Sequence, residues 1–106
     1  MNNPQYMSGT GNNFLVSEYE NSKTDIEIIS IVADSLFDID GVIYVEKIDS
    51  LTVKMHYYNN DGSTAELCVN GIRCVAKYAL DNSIVDSNEV TVVAPIGNIK
   101  TNIKEN

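Results

Sequence analysis

Tyr57–Leu80 runs YYNNDGSTAELCVNGIRCVAKYAL, and its hydrophobic period changes partway along. Up to Tyr58 the chain alternates. Leu51, Val53, Met55 and Tyr57 face one way and Thr52, Lys54, His56 and Tyr58 the other, as in a strand with one buried side. Asn59-Asn60-Asp61-Gly62-Ser63 is turn chemistry, since Asn and Asp tolerate left-handed backbone and glycine supplies positive φ. From about Cys68 to Leu80 the spacing is helical. Val69, Ile72, Cys74, Val75, Ala76, Tyr78, Ala79 and Leu80 are apolar, and only Arg73 and Lys77 make a polar stripe. A helix apolar on nearly every side is enclosed by protein. In a chain of 106 residues this predicts a central helix wrapped by sheet.

The rest of the chain supplies that sheet. Met1 to Gln5 is polar and reads as loose chain. Gly9 and Gly11 mark a hairpin turn ahead of a strand at Phe14-Leu15-Val16. Thr24-Asp25-Ile26-Glu27 has the form of a capping box, and Ile29, Val32, Ala33, Leu36 and Phe37 follow at helical spacing, so a helix is expected from about Asp25 to Leu36. Asp38-Ile39-Asp40-Gly41 reads as a plain turn, too short for a calcium loop. Further strands are expected at Val42 to Glu46, Val90 to Ala94 and Ile99 to Ile103. The outline is β-α-β-β-α-β-β, an α+β domain with a mixed or antiparallel sheet, and residues 1–106 form one domain.

Composition narrows the function classes. Hydrophobic residues make up 43% of the chain, enough for a core without staples. Net charge is −8, with 15 acidic residues against 7 basic, and the lysines are scattered, so no patch suited to nucleic acid exists. No apolar run is long enough to span a membrane, and the N-terminus lacks the pattern of a secretory signal, so a cytoplasmic location is expected. Cys68 and Cys74 sit six apart, which is neither a redox nor a zinc spacing, and no metal or cofactor is expected. On one helix the two point to different faces, which argues against a disulfide. His56, among Thr52, Lys54 and Tyr58, reads as a solvated face residue.

Cys68 is the residue with chemistry to offer. At the start of the buried helix its sulfur meets the positive end of the helix dipole, which favours thiolate. The first-turn amides from Val69 to Gly71 suit an anion such as a carboxylate, and Gly71 leaves room for close approach. A free thiol titrates near ~8.5, so a modest drop makes a base usable at neutral pH. From spacing alone, a buried structural thiol and a proton-transfer thiol stand level. Cys74 lies inside the helix on an apolar surface and reads as core.

Three motifs then combine: Met7-Ser8-Gly9-Thr10-Gly11-Asn12-Asn13-Phe14, Tyr58-Asn59-Asn60-Asp61-Gly62-Ser63 and Cys68-Val69-Asn70-Gly71-Ile72-Arg73-Cys74. In order and spacing they resemble the N-terminal half of the diaminopimelate epimerase family. The resemblance implies a cofactor-independent isomerase of lysine biosynthesis that interconverts LL- and meso-diaminopimelate. One cysteine thiolate removes the α-proton and a second thiol protonates the opposite face. It also implies two pseudo-symmetric halves, each a sheet around a central helix. Carried over, Cys68 is one member of the acid/base pair. The Val69 amide and Asn70 hold the reacting α-carboxylate, and Asn12 and Asn59 contact the substrate through side-chain amides.

Three positions depart from the family pattern, and they bear on the substrate. Val69 replaces a glycine, Asn13 a common aspartate, and Gly41 stands where a substrate-contacting glutamine is usual. The second cysteine belongs to a C-terminal half expected to be missing here, so the chain is read as half of a site, with self-association through its uncovered apolar surface possible as a homodimer. Two other readings stay open: a racemase of another amino acid on the same fold, and a non-catalytic binding or assembly fragment.

Overall fold

The computed structural model describes residues 2–9, 11–19, 25–34, 38–63, 69–95 and 97–103. Its elements run β1 (Asn2–Gly9), β2 (Asn12–Glu18), α1 (Asp25–Ala33), β3 (Gly41–Asp49), β4 (Thr52–Asn59), α2 (Val69–Asp81), β5 (Glu89–Ala94) and β6 (Gly97–Asn102). The six strands form one sheet in sequence order. β1/β2, β3/β4 and β5/β6 are antiparallel, whereas β2/β3 and β4/β5 are parallel. Three hairpins are thus joined through two parallel seams. A parallel seam needs a crossover, and each crossover carries a helix.

The two helices lie on opposite faces of the sheet. α2 packs with Phe14, Val16, Ile43, Val45, Val53, Met55, Val90 and Val92. The alternate positions Leu15, Val42 and Tyr44 cluster instead with Ile28 of α1. The cause is geometric. Both crossovers step the same way across the sheet, but β2 and β3 run opposite to β4 and β5. Two crossovers of one hand must then cover opposite faces. It follows that β2 and β3 are buried on both sides, which is why they read as unbroken apolar runs rather than alternating ones.

α2 is the enclosed helix the sequence predicts. It contacts β1, β2, β3, β4 and β5, and Ile72, Cys74, Val75, Ala76, Tyr78 and Ala79 are buried while Arg73 and Lys77 are exposed. Lys77 pairs with Asp81 one turn on, at 3.2 Å. The helix closes in a Schellman arrangement: the Ile84 amide donates to the Ala79 carbonyl at 2.9 Å and the Ser83 amide to that of Leu80 at 3.1 Å. Ser83 occupies the left-handed position, φ 57°, where glycine is the usual residue.

Two expectations need correction. Asn2 to Gln5 is not loose but begins β1, an edge strand. Its pairing with β2 uses backbone groups, so a polar sequence suffices. The register shift between Asn2 and Gln5 accommodates Pro4, which has no amide to donate. The Asn82 side chain further ties Gln5 to the end of α2 at 2.9 Å. His56 is not freely solvated: its ring stacks on Tyr19 with centroids 4.2 Å apart, and its Nε2 lies 2.8 Å from Glu46 Oε1. The β-rich outline therefore has one more strand than expected. α1 is helical from Asp25 to Ala33, within the expected span; Thr24 of the capping box, and Leu36 and Phe37, lie outside the described residues.

Candidate functional site

The candidate residues converge at one end of the sheet, where β2 and β3 begin and β4 ends. Phe14 pairs with Gly41 across the parallel seam, and Gly41 pairs with Asn59 across the antiparallel one. Alternation then fixes the faces. Asn12 shares its side with Phe14, Gly41 with Ile43, and Asn59 with Tyr57, and all of these face the layer that holds α2. Asn12 and Asn59 are each half-buried. The structure thus brings both asparagines to the same face and the same end of the sheet.

The chain leaves this end through a turn held by its own side chains. The Asn59 amide donates to the Ser63 carbonyl at 2.7 Å, and the Gly62 amide to the Asn59 carbonyl at 2.9 Å. Gly62 sits at φ 88°, the left-handed backbone that the N-D-G-S pattern predicts. The Asn59 side-chain amide reaches Ser63 Oγ at 3.1 Å, which orients it within the turn. Asp61 Oδ1 accepts from the Ser63 hydroxyl at 2.6 Å and from its backbone amide at 2.9 Å. Those two bonds, the hydroxyl first, hold the Asp61 carboxyl below its ordinary range.

After this turn comes α2, whose first described residue is Val69 rather than Cys68. The amides of a helix's first turn have no partner within the helix, and here Val69 and Asn70 supply two of them. No acidic residue stands in that turn to compete for an anion. Gly71, next along, is buried. Val69 and Asn70 are placed by their backbone; Cys68, the residue directly before them in sequence, lies outside the described residues. Cys74 is buried among the α2 core residues, as expected.

Two features of the site gave no signal in the sequence. The first is Tyr57. Its ring meets that of Phe14 edge-on at 5.8 Å, on the face of the sheet that holds α2. A Cβ built on Gly41 would lie 2.8 Å from the Tyr57 hydroxyl oxygen and 2.8 Å from the Tyr58 carbonyl oxygen. The glycine at position 41 is therefore matched to the tyrosine at 57. The second is Asp40, read as part of a plain turn. Its carboxylate Oδ2 accepts the Asn13 amide at 2.8 Å, although the two are 27 residues apart. Among the described residues no group of three or more His, Cys, Asp or Glu is placed to hold a metal ion, and no helix is long and apolar enough to cross a membrane.

The chain is similar to known proteins in sequence and in fold. The family model for diaminopimelate epimerase matches residues 5–106. The chain is similar to the diaminopimelate epimerase of Agathobacter rectalis, 42% identical over 95 residues, taking in 86% of this chain and 33% of that protein. It is 38% identical over 90 residues to that of Clostridium acetobutylicum, covering 77% of this chain and 27% of that protein. For Caldanaerobacter subterraneus the values are 40% over 88 residues, 81% and 32%. Among solved structures, the crystal structure of a Bacillus anthracis phenazine biosynthesis protein of the PhzF family superposes with a TM-score of 0.68 at 16% identity. That match covers 97% of this chain and 35% of the other, and it is a likeness of fold. The chain spans about a third of the length of the curated relatives it matches.

Proposed function

We propose a function from one premise: this chain belongs to the diaminopimelate epimerase family. It carries half of a proton-transfer site that inverts the α-carbon of diaminopimelate, interconverting the LL and meso forms in lysine biosynthesis, a cytoplasmic task. Cys68 as thiolate takes the α-proton. The electron pair of the broken C–H bond passes to the α-carbon and spreads into the adjoining carboxylate. A thiol on the opposite face then donates its proton to that carbon. Cys68 ends protonated and the second sulfur ends as thiolate, so the return reaction resets the pair. The second sulfur comes from outside these 106 residues.

An α-proton beside a carboxylate is very weakly acidic, so the developing charge needs donors already in place. The Val69 amide and Asn70 take that role at the carboxylate, and Asn12 and Asn59 fix the substrate's orientation. The observation that carries this reading is the Phe14–Gly41–Asn59 register. It sets Asn12 and Asn59 on the α2 side of the sheet, at the end from which the chain enters the first turn of that helix. Gly41 favours one variation. With Tyr57 in the space of a side chain at 41, the substrate meets a phenol where the family usually offers a glutamine amide, which supports a racemase for another amino acid.

The test is incorporation of solvent deuterium at the α-carbon by the epimerase of which these residues form the N-terminal part. A panel of diaminopimelate and other amino acids is the substrate set. Turnover confined to diaminopimelate removes the second reading; no exchange with any amino acid removes both.

A further inference from the structure

Asp40 joins the two segments that carry Asn12 and Asn59. Toward β2, its Oδ2 accepts the Asn13 amide at 2.8 Å and its own amide donates to the Asn13 carbonyl at 2.8 Å. Toward the turn after β4, its carbonyl accepts the Asn60 amide at 3.2 Å. The two preceding residues repeat the pattern. The Asp38 carbonyl accepts from the Asn13 side chain and the Ile39 carbonyl from the Asn60 side chain, each at 3.4 Å. Ser8 Oγ donates to Asn13 Oδ1 at 2.9 Å from the β1 side.

Asn13 and Asn60 are each one residue beyond a proposed substrate contact. In extended chain, successive side chains point to opposite faces, so Asn13 turns away from the face that Asn12 presents. We propose that Asp40 is a positioning residue: it fixes Asn12 through the backbone of Asn13, and Asn59 through that of Asn60, so that both side-chain amides are held for one substrate. The proposal rests on the epimerase reading given above. Its distinguishing feature is the carboxylate. Two of the three Asp40 links are backbone-to-backbone and survive any side chain, while the Oδ2 bond to Asn13 is lost on truncation. Misplacement of a substrate contact by about 1 Å can cost about a hundredfold in rate.

The experiment is a double-mutant cycle on α-deuterium exchange in the full-length protein, with kcat and KM measured separately per folded enzyme. Asp40→Ala is expected to lower kcat/KM about tenfold to a hundredfold, whereas Asp40→Asn, which keeps an acceptor oxygen at the same reach, restores most of it. The double variant Asp40→Ala/Asn12→Ala is expected to be no worse than Asn12→Ala alone, because the one link lost on truncation runs to the Asn12–Asn13 segment, while the backbone link to Asn60 remains. Losses that simply multiply, or an Asp40→Ala enzyme with unchanged kcat/KM, overturn the proposal. If Asp40→Ala does not fold, Asp40→Glu, which keeps the charge and shifts the oxygen, enters the same cycle with the same criteria. Amide hydrogen exchange is read in parallel. Asp40→Ala is expected to lose protection at Asn13, and unchanged protection there overturns the coupling irrespective of substrate. A wild-type protein without exchange activity removes the epimerase reading and the substrate-positioning role with it, while the amide readout still decides whether Asp40 ties down β2.

Discussion

The Tyr57 hydroxyl oxygen lies 2.8 Å from the point where a Cβ on Gly41 would stand, so these two positions can hold only one side chain between them. The ring carbon Cζ is almost as close, at 2.9 Å, and the Tyr58 carbonyl closes the other side. Gly41→Ala is therefore expected to overpack the site and to lower stability by about 1–3 kcal/mol, read from urea unfolding midpoints. Adding Tyr57→Leu to Gly41→Ala should recover part of the loss, because the Tyr58 backbone stays. An alanine variant as stable as the parent would contradict the crowding.

The two cysteines separate by role. On the proposed function, Cys68→Ala removes the proton acceptor and should cut α-deuterium incorporation about 10²- to 10⁴-fold. Cys74 is buried within the core packed around α2, so Cys74→Ala should leave most of the exchange and instead lower stability by about 1 kcal/mol. Equal losses of activity in the two variants would refute this division.

Ser83 holds the left-handed position that ends α2, at φ 57°. A side chain there is strained by about 1–2 kcal/mol. Ser83→Gly removes the strain but loosens the unfolded chain, so a net gain of about 0.5–1 kcal/mol is expected in thermal or urea unfolding. Ser83→Val should move stability the other way.

Tyr78 sets the alkaline behaviour of the core. Burial, with the charge of Glu18 behind it, pushes its hydroxyl up from 10.0 to about 12. Below pH ~10 the phenol is protonated in both the folded and the unfolded chain, so it adds no slope. Between pH ~10 and ~12 the unfolded chain releases the proton while the folded one keeps it, and stability falls as pH rises. Urea midpoints measured across that window should drop in the parent and drop less steeply in Tyr78→Phe.

Much of this arrangement is legible in the residues, and what is not follows one physical divide. The enclosure of α2, its Arg73 and Lys77 stripe, the burial of Cys74 and the positive φ of Gly62 all follow from spacing within a few residues. β1 escaped because an edge strand is held by backbone pairing and can be polar. The partners of His56, Tyr19 from the chain after β2 and Glu46 from β3, are distant in sequence and leave no local signal. Asp40 and the match of Gly41 to Tyr57 depend on strand register, which no local pattern in either segment encodes.

The unequal seams of the sheet carry a consequence for how it comes apart. The β2/β3 seam pairs five residues, Phe14 to Glu18 against Gly41 to Val45, whereas β4/β5 pairs only Thr52 to Lys54 with Thr91 to Val93. The β5–β6 hairpin is therefore joined to the sheet by a short ladder, reinforced mainly by Val90 and Val92 packing in the α2 core. That ladder is the shorter of the two parallel seams. In native-state hydrogen exchange the amides of the hairpin should open together at a lower free energy than those of β2 and β3, leaving the Asn12–Gly41–Asn59 end of the sheet closed.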